Sequence, residues 1–242
     1  MGNLRKVIAS ISLVAILSTF AVTNAAFAKS PFTDVPNNHW FTTEGWDVKA
    51  KDAGIFTKTT AMPDQSVIRA DMAVMVAAAA GLDMTNLEAF PSGVFTDVKS
   101  TDYWYKPLQA GRQANVFTEK PKFDATGVTN RAQAAKVIVQ SFGLAAAAPT
   151  TAVFSDVKLA YTGADEWMNN INTAYCYGLV KGVNGKYLPG NNVSRAELAK
   201  MLIVAKDAPT LMSSCKKGPV VTPPPVSGGG ALDVSVADDS PC

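Results

Sequence analysis

Internal repetition constrains this chain more than any other feature. Phe32-Thr33-Asp34-Val35 recurs as Phe95-Thr96-Asp97-Val98 and as Phe154-Ser155-Asp156-Val157. A Trp follows each time, at Trp40, Trp104 and Trp167. An amphipathic stretch comes next and ends in a turn, at Ala53-Gly54-Ile55, Ala114-Asn115-Val116 and Tyr177-Gly178-Leu179. An Arg-Ala pair then opens an apolar segment, at Arg69-Ala70, Arg131-Ala132 and Arg195-Ala196. Four features in fixed order, three times over, mean three copies of one structural unit. The copies occupy residues 31–90, 94–150 and 153–210.

Each copy reads as loop, helix, loop, helix, so the expected fold class is all-α. The first helix is expected over residues 43–53, 105–114 and 165–177, each followed by Gly54, Asn115 or Gly178, residues suited to a left-handed C-terminal cap. The second helix opens on Asn130 with Gln133 and on Ser194 with Glu197, both patterns of a capping box. In the first copy Ile68 cannot cap, and Ser66 is the available substitute. The second helices are apolar around much of their circumference, as in Met72 to Ala80 and Val137 to Val139. Such helices are buried, and three units packed together can bury what one cannot.

The flanks differ in kind. Residues 1–28 read as a secretory signal: Arg5 and Lys6, an apolar run from Val7 to Phe20, then Ala26-Phe27-Ala28 as a small-x-small cleavage pattern. The apolar run is short for a bilayer span, so no transmembrane segment is expected after cleavage. Residues 216–230, KKGPVVTPPPVSGGG, have linker composition, and the alternation in 231–242 reads as the start of a further, incomplete domain. Export permits disulfides among Cys176, Cys215 and Cys242, and Cys176 with Cys215 is the expected pair because the tail can fold back onto the third copy. The alternative is a buried Cys176 thiol, with the two tail cysteines paired to each other or to further sequence.

Composition excludes several classes. The formal net charge is +2 without a basic cluster, which is no nucleic-acid footprint. His39 is the only histidine, and no nucleophile elbow, phosphate loop, dinucleotide fingerprint or metal-ligand spacing occurs. The chain reads as a non-enzyme without cofactor or metal. The recurring Arg is the residue that asks for a function. An Arg in the first turn of a helix is mildly unfavourable, because that end already carries partial positive charge. One reason to keep it is an anion, held by helix-start N–H groups and a guanidinium together. The other is an internal salt bridge to Asp34, Asp97 or Asp156. Those three Asp fit loop capping, and the three Trp fit either a packed centre or a sugar platform.

The three segments resemble the S-layer homology repeat. The resemblance rests on the FTDV, FTDV and FSDV openings, the Trp that follows, the Gly-Ile and Gly-Leu turns, Tyr187-Leu188-Pro189, and the tetrad Ser194-Arg195-Ala196-Glu197. It implies a pseudo-threefold bundle with one helix of each repeat at the centre. It also implies non-covalent anchoring to the cell envelope, through grooves that bind an anionic wall polysaccharide often bearing pyruvylated sugars. Arg69, Arg131 and Arg195, with Gly182 and Glu197, are the ligand-binding residues it implies. Arg195 keeps the most family-like surroundings; Glu119, in the turn of the second repeat, is an unfavourable neighbour for an anion and places Arg131 lowest. The alternative reading is a structural S-layer subunit whose repeats contact one another, other subunits or an outer-membrane partner without glycan.

Overall fold

A computed structural model describes residues 29–158, 166–207 and 209–217. The signal at 1–28, nearly all of the linker and the segment 231–242 with Cys242 lie outside the described residues. In chain order the elements are α1 (Trp40–Thr43), α2 (Trp46–Asp52), α3 (Arg69–Ala80), α4 (Tyr105–Gln113), α5 (Arg131–Ser141), β1 (Ala147–Pro149), α6 (Glu166–Cys176), α7 (Arg195–Lys206) and β2 (Cys215–Lys217).

The second helix of each repeat, α3, α5 and α7, packs against the other two. Their inward residues, among them Met72, Met75, Ile138, Leu198 and Leu202, are fully buried. The first helices do not pack chiefly on their own repeat. The α4 helix lies on α3, α6 on α5, and α2 on α7, so each repeat completes the core of the one before it and the third closes on the first. A ring of backbone bonds marks the axis. Val67 N–H donates to Val193 O (3.0 Å), Val193 N–H to Thr129 O (3.1 Å), and Thr129 N–H to Val67 O (2.8 Å). All three residues are buried, and the ring pairs amides that would otherwise be left unsatisfied away from water at high cost.

The caps follow the sequence closely. Asn130 with Gln133 and Ser194 with Glu197 form complete capping boxes, while Ile68 makes no side-chain cap. Ser66 does not replace it; it pairs backbone to backbone with Ser194 instead. Gly54, Asn115 and Gly178 all take left-handed conformations after their helices, with φ of 69°, 56° and 73°.

Two expectations need correction. The first helix of the first repeat is broken in two, because Gly45 adopts φ 74° and restarts the chain at Trp46. The fold is also not purely helical: β1 and β2 form an antiparallel pair, with Ala147 opposite Lys217 and Pro149 opposite Cys215. Three-residue strands carry too little alternation to show in sequence. They form because the tail is drawn across the third repeat, where Cys215 is bonded to Cys176 with Cα atoms 5.8 Å apart. Met212 N–H also donates to Cys176 O at 2.9 Å.

Candidate binding grooves between the repeats

The recurring Asp residues hold the repeats' loops. Asp34 accepts from the amides of Ala61 (2.9 Å) and Met62 (2.8 Å). Asp97 accepts from Phe123 (2.7 Å) and Asp124 (2.8 Å), and Asp156 from Tyr187 and Leu188 (both 2.8 Å). The second amide belongs each time to a residue with positive φ: Met62 at 51°, Asp124 at 55° and Leu188 at 59°. Burial alone would raise the pKa of Asp97 and Asp156, but the two amides outweigh it and hold both below the usual carboxylate range. These carboxylates are not the partners of the recurring Arg.

Each Arg reaches instead into the loop of the next repeat. Arg69 Nε donates to Phe123 O (2.6 Å), Arg131 Nε to Tyr187 O (3.0 Å) and Arg195 Nε to Ala61 O (2.7 Å). Each guanidinium lies over an aromatic ring, 5.0 Å from Phe123, 4.7 Å from Tyr187 and 5.1 Å from Phe56. The third repeats the theme with a different residue, since Ala61 stands where Phe123 and Tyr187 supply the ring.

The helix starts themselves are occupied. Arg69 and Ala70 N–H donate to Gly127 O and Ala125 O, Arg131 and Ala132 to Asn191 O and Pro189 O, and Arg195 and Ala196 to Gln65 O and Pro63 O. The first two amides of each helix are therefore not open to an anion, and a ligand is left chiefly with the guanidinium edge and its surroundings.

Those surroundings form three grooves. The first, about 550 Å³, contains Arg69, the turn at Val116 to Lys120, Lys122, Gln133, Lys136 and Trp167. The second contains Arg131, the turn at Gly178 to Lys181, Glu197, Lys200 and Trp40. The third contains Arg195, the turn at Ile55 to Lys58, Asp71 and Tyr103. Each groove thus combines the Arg of one repeat, the turn and second helix of the next, and an aromatic of the third. Glu119 consequently belongs with the turn facing Arg69, not Arg131, and its carboxylate is engaged by Arg112 at 3.0 Å.

The acids that do meet the Arg stand three residues into the second helices. Arg131 Nη1 donates to Glu197 Oε1 at 3.2 Å and its Nη2 to Lys181 O at 3.2 Å. Arg195 Nη1 bonds Asp71, which also accepts from the Tyr103 hydroxyl at 2.6 Å. Burial, reinforced by that bond to Asp71, pushes the Tyr103 hydroxyl pKa up. In the first groove the corresponding residue is Gln133, and among the described residues no carboxylate stands within 4 Å of Arg69. Burial draws the Arg69 pKa down, and Asp124 and Asp97 act on it from farther off in the opposite sense.

Gly182 has a steric reason. A Cβ there would stand 2.5 Å from the Phe154 ring and 2.6 Å from Lys186 O. The Trp residues are half-buried rather than central. The fully buried aromatics are Phe41, Phe95, Phe123 and Tyr187, whereas Trp40 and Trp167 stand at groove walls. The sequence reading missed two groove residues, Lys136 and Lys200. Lys136 Nζ lies 5.2 Å from the Trp167 ring and 2.8 Å from Glu166. Lys200 Nζ lies 5.3 Å from Trp40 and 2.9 Å from Glu44. Both stand five residues after the repeat's Arg, where the first repeat has Val74; that common offset was the available signal.

His39 has local work. Its Nδ1 accepts from Phe41 N–H at 3.1 Å, which leaves the hydrogen on Nε2 to donate to Asp64 at 3.1 Å. No cluster of potential metal ligands occurs among the described residues, and no helix there is long and apolar enough to cross a membrane.

A search of curated proteins returns no match. The family model for the S-layer homology domain matches residues 94–135 and 161–199. Residues 31–90 are not matched, although Asp34 there holds its loop as its counterparts do and Ala61 O accepts from Arg195 as Phe123 O and Tyr187 O accept from Arg69 and Arg131. S-layer homology domains are cell-surface modules associated with anchoring to cell-wall glycans, and they are not catalytic. The two matches cover Asp97, Arg131 and Arg195 and the turns that follow α4 and α6, and these two segments are similar to the S-layer homology domain.

Proposed function

We propose that this chain is exported and anchors a surface protein to the bacterial envelope by binding an anionic, pyruvylated wall polysaccharide in the inter-repeat grooves. The observation that supports this is the threefold recurrence of one groove: an Arg stacked on an aromatic, beside an aromatic contributed by a third segment of chain. A guanidinium recognises a carboxylate or phosphate by paired, charge-assisted hydrogen bonds, and an aromatic face packs on the C–H face of a sugar. The part preceding the linker is the attachment module, and the sequence from 231 onward belongs to what is attached. Other S-layer subunits are further partners on this reading.

The purely structural reading has one specific observation in its favour: two of the three Arg are engaged by carboxylates of the same chain. Sedimentation with protein-free walls separates the two. Glycan anchoring predicts that the chain sediments with intact walls and stays in solution once the secondary polysaccharide has been extracted. Sedimentation that survives extraction, or fails with intact walls, rejects it.

A further inference from the structure

We propose that only the first groove receives the anionic group of the wall glycan, and that Gln133 is the residue that leaves it open. This rests on the function proposed above and adds the site and its specificity.

The three grooves share a plan but differ at one position. Glu197 fills it in the second groove and pairs with Arg131; Asp71 fills it in the third and pairs with Arg195. Gln133 fills it in the first, beside Arg69, and is neutral. The Gln133 side chain is used for the capping box, its Oε1 accepting from Asn130 N–H at 3.0 Å. Arg69 commits Nε to Phe123 O, and its two terminal nitrogens make no hydrogen bond among the described residues. An arriving carboxylate in the second or third groove must displace a protein carboxylate, so the exchange gains little. In the first groove no protein carboxylate has to leave Arg69.

The remaining charges point the same way. Among the described residues, Arg69, Lys120 and Lys122 form no ion pair, and the opposing charge lining the first groove is Asp124. In the second groove Arg131 and Lys200 are both paired, leaving Lys181; in the third Arg195 is paired, leaving Lys58. The Trp167 face at the groove wall, already 5.2 Å from Lys136 Nζ, supplies an apolar surface beside those cations. The ligand class that fits is a sugar bearing a carboxylate or phosphate, its anion in the Arg69 fork and its ring toward Trp167.

Gln133→Glu tests this with little risk to folding, because Glu197 shows that Glu completes the same capping box. It should set a carboxylate against Arg69 as Glu197 is set against Arg131. Short fragments of wall polysaccharide are titrated calorimetrically into the full secreted chain. The expected result is about one site per chain, with affinity reduced roughly ten- to a hundredfold by Gln133→Glu and by Arg69→Ala. Glu197→Gln should add a second site by opening the second groove. Three equivalent sites in the native chain, or native affinity in a folded Gln133→Glu protein, overturns the assignment while leaving glycan anchoring standing. A native chain that binds no fragment removes both. Fragments stripped of ketals by mild acid, stripped of phosphate by hydrofluoric acid, or with uronate carboxyls reduced after carbodiimide activation identify the anion by which treatment abolishes binding; binding that survives all three combined overturns the proposal.

Discussion

Arg195 is bonded to Asp71, a residue 124 positions earlier in the chain, and this pair closes the ring of repeats by joining the third to the first. Both side chains are largely shielded, at 14% and 27% exposure. Removing one partner leaves the other charge with poor solvation. Asp71→Ala is expected to cost about 2 kcal/mol, the range of a charge-assisted hydrogen bond. In a domain of this size that is a fall in Tm of roughly 4–8 °C, readable by scanning calorimetry. An unchanged Tm would show the pair to be incidental. The family pattern put Arg195 forward as the leading ligand contact, and the structure gives that side chain an internal task first.

Gly182→Ala separates packing from ligand contact at the turn of the third repeat. The new methyl meets the Phe154 ring and the Lys186 carbonyl, and the carbonyl cannot rotate away. Overpacking of this kind costs about 1–3 kcal/mol. Denaturant unfolding without any glycan should show the loss, which a role confined to ligand contact would not produce.

How much of this was legible follows from the range of each signal. Helix ends were readable because caps are local: Asn130, Ser194, Gly54 and Gly178 act on neighbours within four residues. The partners of the Arg were not, because they lie 54, 56 and 134 residues away across the ring. Repetition says that Arg69, Arg131 and Arg195 are equivalent, but not that each faces the turn of the following repeat. That is why Glu119 was set against the wrong Arg. The β1–β2 pair was invisible for a different reason: the tail's return through Cys176–Cys215 was expected, but two strands of three residues carry too little alternation to be read.

Acid should weaken the fold through Asp97 and Asp156. Their pKa values are depressed in the folded state, so their contribution is complete above the unfolded value near 3.8. It fades as pH falls through the lower folded values, because protonation removes the charge that the paired amides favour. Stability measured by denaturant between pH 5 and about pH 2 should therefore decline. Asp97→Ala with Asp156→Ala should be less stable at neutral pH, by about 1–3 kcal/mol per site, and should show a flatter acid limb. An acid limb of native steepness in the double variant would assign acid sensitivity to other groups.

Replacing both Cys176 and Cys215 by Ala tests the clasp on the tail. The bond closes a separation of 39 residues, for which chain entropy gives an upper value of about 4 kcal/mol. The loss should appear locally. Thr150 N–H, which donates to Ser214 O at 2.8 Å, should exchange faster, while the amides of α3 and α5 away from the tail keep their relative protection. Uniform loss across all amides would instead make the clasp part of global folding.

The most direct test of glycan anchoring is a calorimetric titration of the secreted chain with soluble polysaccharide released from the walls of its source, at low and at high salt. Saturable binding is predicted that weakens as ionic strength rises, because the anions meet cations in a groove open to solvent, where charges are screened over about 8 Å at physiological salt. It also predicts that the binding disappears when the anionic substituents are removed. No heat of binding, or an affinity indifferent to both salt and those substituents, would contradict it.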